Sequence, residues 1–328
     1  MKIALEDTRV TNMRQGAVKY MISHSRACAI SCARPSFAGH SNNVIAIARQ
    51  FAAAPADSGV AALLQEAEAC RADGNADGAI ALCGQAIALD PCNLLARQIL
   101  IHASMPGDTY HDILRRIHQH LRPCTYVEIG VFKGETMAMA APETLAIGLD
   151  PEPDIRYPLT ARTRIFAETS DDFFAHRDLA AELGGLPVDL AFIDGMHHFE
   201  FALRDFINLE RYCTGDSTIL IHDCYPLDEM TSRRERVFNF WSGDVWKLVL
   251  CLKKYRPDLS VHTVHCAPTG LAIIRNLDPA STVLAASLDE ICEEFIALPF
   301  ATIAERKAEM LNAYSNKWGR VCALLGRT

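Results

Sequence analysis

Apolar residues follow two different rhythms along this chain, and the change between them falls near residue 123. Between residues 60 and 93, VAALLQEAEACRADGNADGAIALCGQAIALDPCN places its apolar positions at helical spacing. Leu63, Ala67 and Cys70 make one stripe, and Ala79, Leu82, Cys83, Ala86 and Leu89 make another. Gly74 breaks between them, so two short helices are predicted. Beyond residue 123 come short apolar runs bounded by Gly, Pro or polar residues: TYVEIG, LAIGLD, TRIFAE, VDLAFID and STILIHD. Helical patterns lie between most of them. The clearest is FEFALRDFINLERYC, with Phe199, Ala202, Leu203, Phe206 and Leu209 on one face and Glu200, Arg204, Asn208 and Arg211 on the other. A helical segment is expected to run through residue 255. LSVHTVH and TGLAIIRN follow too closely for a helical crossover and predict an antiparallel pair. Two further helical patterns, near 283–297 and 302–324, close the chain.

Strands alternating with helices imply a parallel sheet covered on both sides. The expected class is α/β: a doubly wound, Rossmann-like, mostly parallel seven-stranded sheet with an antiparallel last pair, preceded by a small α-helical region. The chain divides on this reading into a basic arm (1–58), a helical region (59–120), the sheet domain (121–280) and C-terminal helices (281–328) packed on the core or on a neighbouring subunit. The small residues Ala67, Ala79 and Ala86, followed by Pro91, resemble the close contacts and terminating proline of one tetratricopeptide repeat. A single unit of that type cannot bury its own apolar faces, which favours packing on the next domain or in a homo-oligomer.

Length and composition fit this division. The chain has 328 residues, half of them hydrophobic, enough for one large domain and a smaller one. Its twelve cysteines are scattered, and no secretory start precedes them, so reduced thiols in a cytoplasmic protein are expected. Cys28 and Cys32, the closest pair, have no second pair at ligand spacing and read as ordinary thiols. No apolar stretch approaches a membrane span. Residues 1–56 carry seven Lys/Arg against Glu6 and Asp7, a balance of +5. With a total of −8, the remainder is −13, and so acidic a body argues against nucleic acid as a partner. The basic head loosely resembles an organelle transit peptide, but a solvated or partly helical arm is the preferred reading.

Candidate chemistry begins at VEIGVFKGET, residues 127–136, where a strand runs into Gly130 and Gly134. Phe132 occupies the middle-glycine position of a dinucleotide fingerprint, so the pattern is Glu-x-Gly-x-x-x-Gly. An acid at a strand end suits a cationic ligand better than a pyrophosphate. Asp150 ends the next strand, where a carboxylate can accept hydrogen bonds from ribose hydroxyls. A cationic nucleoside with a ribose points to S-adenosylmethionine.

Taken with AFIDGMHHFEFALRDF, ILIHDCYP, WSGDVWKLV and APTGLAIIR, the stretch EIGVFKGET resembles the class I S-adenosylmethionine-dependent methyltransferases, in particular the metal-assisted sugar O-methyltransferase type. The resemblance covers residues 123–278. It implies O-methylation of a small, hydroxylated substrate, a sugar or polyhydroxylated secondary metabolite. It further implies that Glu128, Gly130 and Gly134 line the methionine and ribose part of the cofactor, that Asp150 binds ribose, and that Ser170 and Asp171 stand near adenine. Asp194, His222 and Asp223 match metal positions, and His197 matches the general base, with His198 as its rival.

Where relatives often place a carboxylate this chain has His222, which suits Mn²⁺, Fe²⁺ or Zn²⁺ better than Mg²⁺; it binds the ion directly, meets it through water, or caps its strand end. Tyr225, Trp241 and Asp244 are candidates for substrate contact. Trp241, Trp246 and Phe238 read either as a sugar-stacking surface or as helix core. Arg233, Arg234 and Arg236 read as a solvated helix start. The competing class is a non-catalytic interaction protein that keeps cofactor affinity alone.

Overall fold

The computed structural model describes residues 58–238 and 240–326. Residues 1–57 of the expected arm, with Cys28 and Cys32, lie outside the described residues. Helices α1 (Ser58–Ala72) and α2 (Ala76–Leu89) form over the two predicted stripes. Asn75 caps α2 by accepting the Gly78 N–H at 3.0 Å. Ala67, Ala79, Cys83 and Ala86 are fully buried, so the two helices meet at their small residues. Leu89, read as part of the stripe, is 61% exposed, because α2 ends on it and leaves no further turn to cover it. A third helix, α3 (Leu94–Ser104), follows at once. Ala96 and Ile99 cover α1 and α2, while Ile101 and Met105 join the main core.

Helix α4 (Tyr110–Leu121) opens with a reciprocal capping box between Thr109 and Asp112. The sheet follows: β1 (Thr125–Ile129), β2 (Leu145–Leu149), β3 (Arg162–Phe166), β4 (Val188–Ile193), β5 (Cys213–His222), β6 (Ser260–Val264), β7 (Leu271–Arg275) and β8 (Ala313–Tyr314). Its order is β3-β2-β1-β4-β5-β7-β6-β8. The seven expected strands form, β7 is antiparallel to both its neighbours, and a short eighth strand pairs parallel with β6. Seven strands thus become eight. The predicted 302–324 helix is interrupted by β8: α11 (Lys307–Met310) stops at Leu311, Asn312 turns left-handed with φ 49°, and α12 (Trp318–Leu325) starts afresh.

Period-2 alternation sorts each strand's residues between two faces. Val127 and Ile129 join Ile147, Phe199, Phe206 and Trp246 on one side, where α7 (Phe199–Glu210), α8 (Trp246–Tyr255) and α10 (Leu288–Ile296) pack. Tyr126, Phe192 and Leu220 join Ile113, Leu114, Ile117 and Val321 on the other, under α4 and α12. Between β3 and β4 lie α5 (Ser170–His176) and α6 (Leu179–Glu182), and α9 (Val283–Ala286) precedes α10. Two segments are less helical than a regular alternation of strands and helices would make them. After Gly134 only a 3₁₀ turn, Met137–Met139, forms before β2, because α4 already covers that face. The segment expected to be helical through residue 255 is helical only from Trp246; its described residues before that, 223–238 and 240–245, are loop. Among the described residues no helix is long and apolar enough to cross a membrane.

The two glycines are required by packing. Gly130 has φ 90°, and a Cβ there would collide with the Asp194 carbonyl oxygen, which approaches from the end of β4. Asp194 N–H in turn donates to Ile129 O at 2.8 Å. Gly130→Ala is expected to lower unfolding stability by more than about 3 kcal/mol, since both the left-handed backbone and the collision oppose it. Urea unfolding followed by circular dichroism measures this.

Candidate active site

Strands β2, β1, β4 and β5 are neighbours and all parallel, so their carboxyl ends open on one rim, with the strand order reversing between β1 and β4. Gly130, Asp150, Asp194 and Asp223 each follow one of these strands. Asp150, Asp194 and Asp223 therefore share one rim.

At the β4 and β5 ends two carboxylates and two imidazoles converge. His222 Nδ1 lies 3.1 Å from Asp194 Oδ1 and 3.6 Å from Asp223 Oδ1. His197 Nδ1 lies 2.9 Å from Asp223 Oδ2, and its Nε2 3.6 Å from Asp194 Oδ1. Burial alone would lower both histidine pKa values, but the Asp223 and Asp194 charges outweigh it, raising His222 and lifting His197 well above the ordinary range. Burial pushes Asp194 upward, yet the His222 and His197 charges and hydrogen bonds hold it below the usual carboxylate range. Asp223 is 3% exposed with φ 60°; its Oδ1 accepts the Thr269 hydroxyl at 2.5 Å, while its buried Oδ2 has no aligned hydrogen bond.

A divalent cation fits this set. The donors are carboxylate oxygens and imidazole nitrogens, and Asp194, His197 and Asp223 bring one donor atom each within 4.8 Å of the others.

His197 is held by the loop that carries Trp241, Gly243 and Asp244. Its carbonyl accepts the Asp244 N–H at 3.1 Å, its ring stacks on Trp241 at 5.2 Å and 15°, and Gly243 (φ 60°) has no room for a Cβ against the His197 carbonyl. His198 points elsewhere: its Nε2 meets Arg234 O at 2.9 Å. Trp241 thus faces the site, whereas Trp246 is core. Asp244, expected near substrate, is 1% exposed and saturated. It accepts the Phe199 N–H at the start of α7, plus Arg234 at 2.7 Å and Lys247 at 2.9 Å. Arg234 also pairs with Glu200, so it is no solvated cation.

The loop after β5 is fixed from both ends of the chain. Arg97 on α3, 1% exposed, donates to Asp228 and to Pro91 O and lies over the Phe238 ring. Lys307 on α11 donates to Pro226 O and Leu227 O and lies over Tyr225, which is 7% exposed.

The cofactor side is more mixed. Asp150 sits half-buried at its strand end, accepting the Phe132 and Glu152 N–H groups at 2.7 and 2.8 Å. Phe132, Ile155 and Met196, in the loops after β1, β2 and β4, are left 45%, 39% and 51% exposed. Gly134 (φ 80°) lies under Ile155. Asp171 is engaged by Arg204 at 2.6 and 2.8 Å, and Ser170 hydrogen-bonds the buried Asp205. Glu128 does not line the rim. Alternation turns it with Tyr126 under α4, where it is wholly buried and accepts the Tyr126 and Thr136 hydroxyls at 2.7 and 2.6 Å. Burial pushes its pKa up to about 8 against those hydrogen bonds.

Three site residues escaped the sequence reading. Tyr110 opens α4 and stacks on His222 at 3.9 Å; its neighbour His111 stands 3.9 Å from Glu135. Thr269 bridges Asp223 and His222. Only the capping box around Tyr110 and the turn-forming APTG of the β6–β7 connection mark these places in the chain.

A family model described as a methyltransferase domain matches residues 127–224, from β1 to just past β5. No curated protein matches the chain. Among solved structures, the O-methyltransferase from Bacillus cereus in complex with SAH is 14% identical with a TM-score of 0.39, covering 71% of this chain and 96% of its own. The O-methyltransferase TomG from Streptomyces achromogenes, involved in tomaymycin synthesis and in complex with SAM, is 10% identical at 0.37, with the same coverage. Likeness as distant as this carries no argument about chemistry.

Two outcomes follow from the buried acids. Asp244→Ala strands Lys247 and uncaps α7, with an expected loss of about 3–5 kcal/mol in chemical unfolding. For Glu128, the folded chain holds a proton that the unfolded chain releases near its ordinary value. Stability therefore falls between about pH 4.5 and 8 and levels above. Glu128→Gln should flatten that part of a pH series of melting temperatures, and an unaltered slope would place the titration elsewhere.

Proposed function

We propose that this chain is an S-adenosylmethionine-dependent O-methyltransferase, assisted by a divalent cation, acting on a hydroxyl of a sugar or other polyhydroxylated small molecule. The observation that carries the reading is the gathering of Asp194, His197, His222 and Asp223 on the rim that also bears Asp150 and the glycine turn, within the segment matched by the methyltransferase model.

Methyl transfer from a sulfonium to an alcohol is an in-line displacement, so the chain must align donor and acceptor and remove one proton. Asp150, with lone pairs beyond those given to Phe132 and Glu152, would hold the ribose hydroxyls, with Phe132, Ile155 and Met196 against the adenosine. Ser170 and Asp171 would stand at the far edge of that pocket. Glu128 supports the turn from beneath, beside Gly130 and Gly134, without touching the cofactor.

Asp194 and Asp223 would hold the cation; when bound, it lowers the pKa of a coordinated hydroxyl by several units. His197 is the base. Its side chain is 26% exposed, against 9% for His222, so it alone of the two can meet an acceptor entering from solvent. Once the charges of Asp194 and Asp223 are compensated, His197 returns towards its ordinary range and can take the hydroxyl proton. Trp241, stacked on His197, offers the acceptor an apolar face, with Tyr225 beneath the same loop.

Calorimetry tests the cofactor assignment: S-adenosylmethionine and S-adenosylhomocysteine should both bind, and Asp150→Ala should weaken both by about tenfold or more. No heat with either ligand, with or without Mn²⁺ or Mg²⁺, would sink the reading. Asp223→Ala should abolish cation-dependent transfer of labelled methyl across a panel of sugar acceptors while far-ultraviolet circular dichroism is kept.

A further inference from the structure

We propose that Cys322, on the last helix, is a site of covalent modification by thiol–disulfide exchange, taking up half of a small anionic disulfide at the cleft between α4 and α12. The site is independent of the methyl-transfer reading. It is built on the far half of α4: His120 lies about 15 Å along that helix from Tyr110, the residue at the rim.

Two helices bring the parts together. Arg116 and His120 are four apart on α4, and Trp318 and Cys322 are four apart on α12, so each pair shares a helix face. The thiol does not stand alone: Cys322 Sγ lies 3.7 Å from His120 Nε2 and 3.9 Å from its Nδ1, and the His120 ring meets Trp318 edge-on at 5.9 Å. Nε2 also lies 3.4 Å from Gly326 O, just past α12; an N–H donated there leaves Nδ1 to accept the hydrogen of the thiol. Beside this pair Arg116, Gln119, His120 and Trp318 line a cleft of about 220 Å³. Arg116 is 43% exposed and pairs with Asp108 at 3.0 Å, which leaves guanidinium donors for a carboxylate entering from solvent.

The thiolate is the nucleophile in disulfide exchange, and it forms where a partly exposed thiol has an imidazole or another cation beside it. Among the described residues the other cysteines lack that combination. Burial pushes the Cys83 thiol up to about 11 and Cys213 up to about 12, and raises Cys224, Cys251 and Cys266 as well. Cys92 and Cys124 are exposed, but no described histidine reaches their sulfur atoms. In the exchange the Cys322 proton passes to His120 and the sulfur attacks one sulfur of the disulfide. A new S–S bond joins that half to Cys322; the old S–S bond breaks, and the other half leaves as a thiol with the proton from His120. Val321 and Leu325 are buried in the core under the sheet, so α12 stays seated while its outer side carries the adduct.

Glutathione disulfide is the probe, added to the reduced full chain after the reductant is removed, with the adduct on each cysteine followed in time by peptide mass spectrometry. Cys322 is expected to gain the glutathione mass at least about tenfold faster than Cys92 and Cys124, although both of those are more exposed. His120→Asn should slow Cys322 by about tenfold or more and leave the rates at Cys92 and Cys124 unchanged. Arg116→Gln should slow the reaction with glutathione disulfide and not with cystamine, whose ends are cationic. Circular dichroism checks the fold of each variant, and the ranking within the unaltered chain needs none of them. Cys92 or Cys124 reacting ahead of Cys322 makes it an ordinary surface thiol and overturns the proposal. An unchanged Cys322 rate in a folded His120→Asn overturns it too. Equal slowing of both disulfides by Arg116→Gln removes the preference for an anionic one.

Discussion

Two carboxylates held within reach of the same imidazoles are the constraint around which this molecule is arranged. Asp194 and Asp223 come together because β4 and β5 are parallel neighbours that end at the same level, and parallel strands bring equivalent ends to equivalent places. Like charges in such a setting need compensation, and His197 and His222 supply it on two sides. Much of the surrounding architecture keeps those two rings in place: Trp241 and the Gly243 turn against one, Tyr110 and Thr269 against the other.

The glycine turn is part of the same constraint. Gly130 has no side chain because the backbone of Asp194 occupies that space, so the turn and the carboxylate fix each other's position. An account of the motif in terms of ligand approach alone misses this, and the same applies to its acid. Glu128 reads as a ligand-facing group in the one-dimensional pattern. The period of a strand, counted from Tyr126, places it instead beneath α4 among hydroxyls.

What could be read from the sequence was what depends on local periodicity. The seven strands, the antiparallel β6–β7 pair and the rim position of Asp150, Asp194 and Asp223 all follow from short apolar runs with acids at their ends. Contacts between distant segments could not be read that way. Nothing in the vicinity of Asp244 announces that its carboxylate caps a helix 45 residues earlier, and nothing near Tyr110 announces a stack on His222. The overlong helices before residue 255 and after residue 302 have a related cause: apolar spacing was present, but tertiary ties at Arg97 and Lys307 and the left-handed Asn312 settled the backbone otherwise.

Those ties at Arg97 and Lys307 make the loop after β5 a joint product of the whole chain. Its conformation is written in three places far apart in the gene: the loop itself, the third helix and the segment before the last strand. Transplanting the loop alone into a related scaffold would carry its residues without its shape, so any drift in what this protein accepts must be a concerted change across all three.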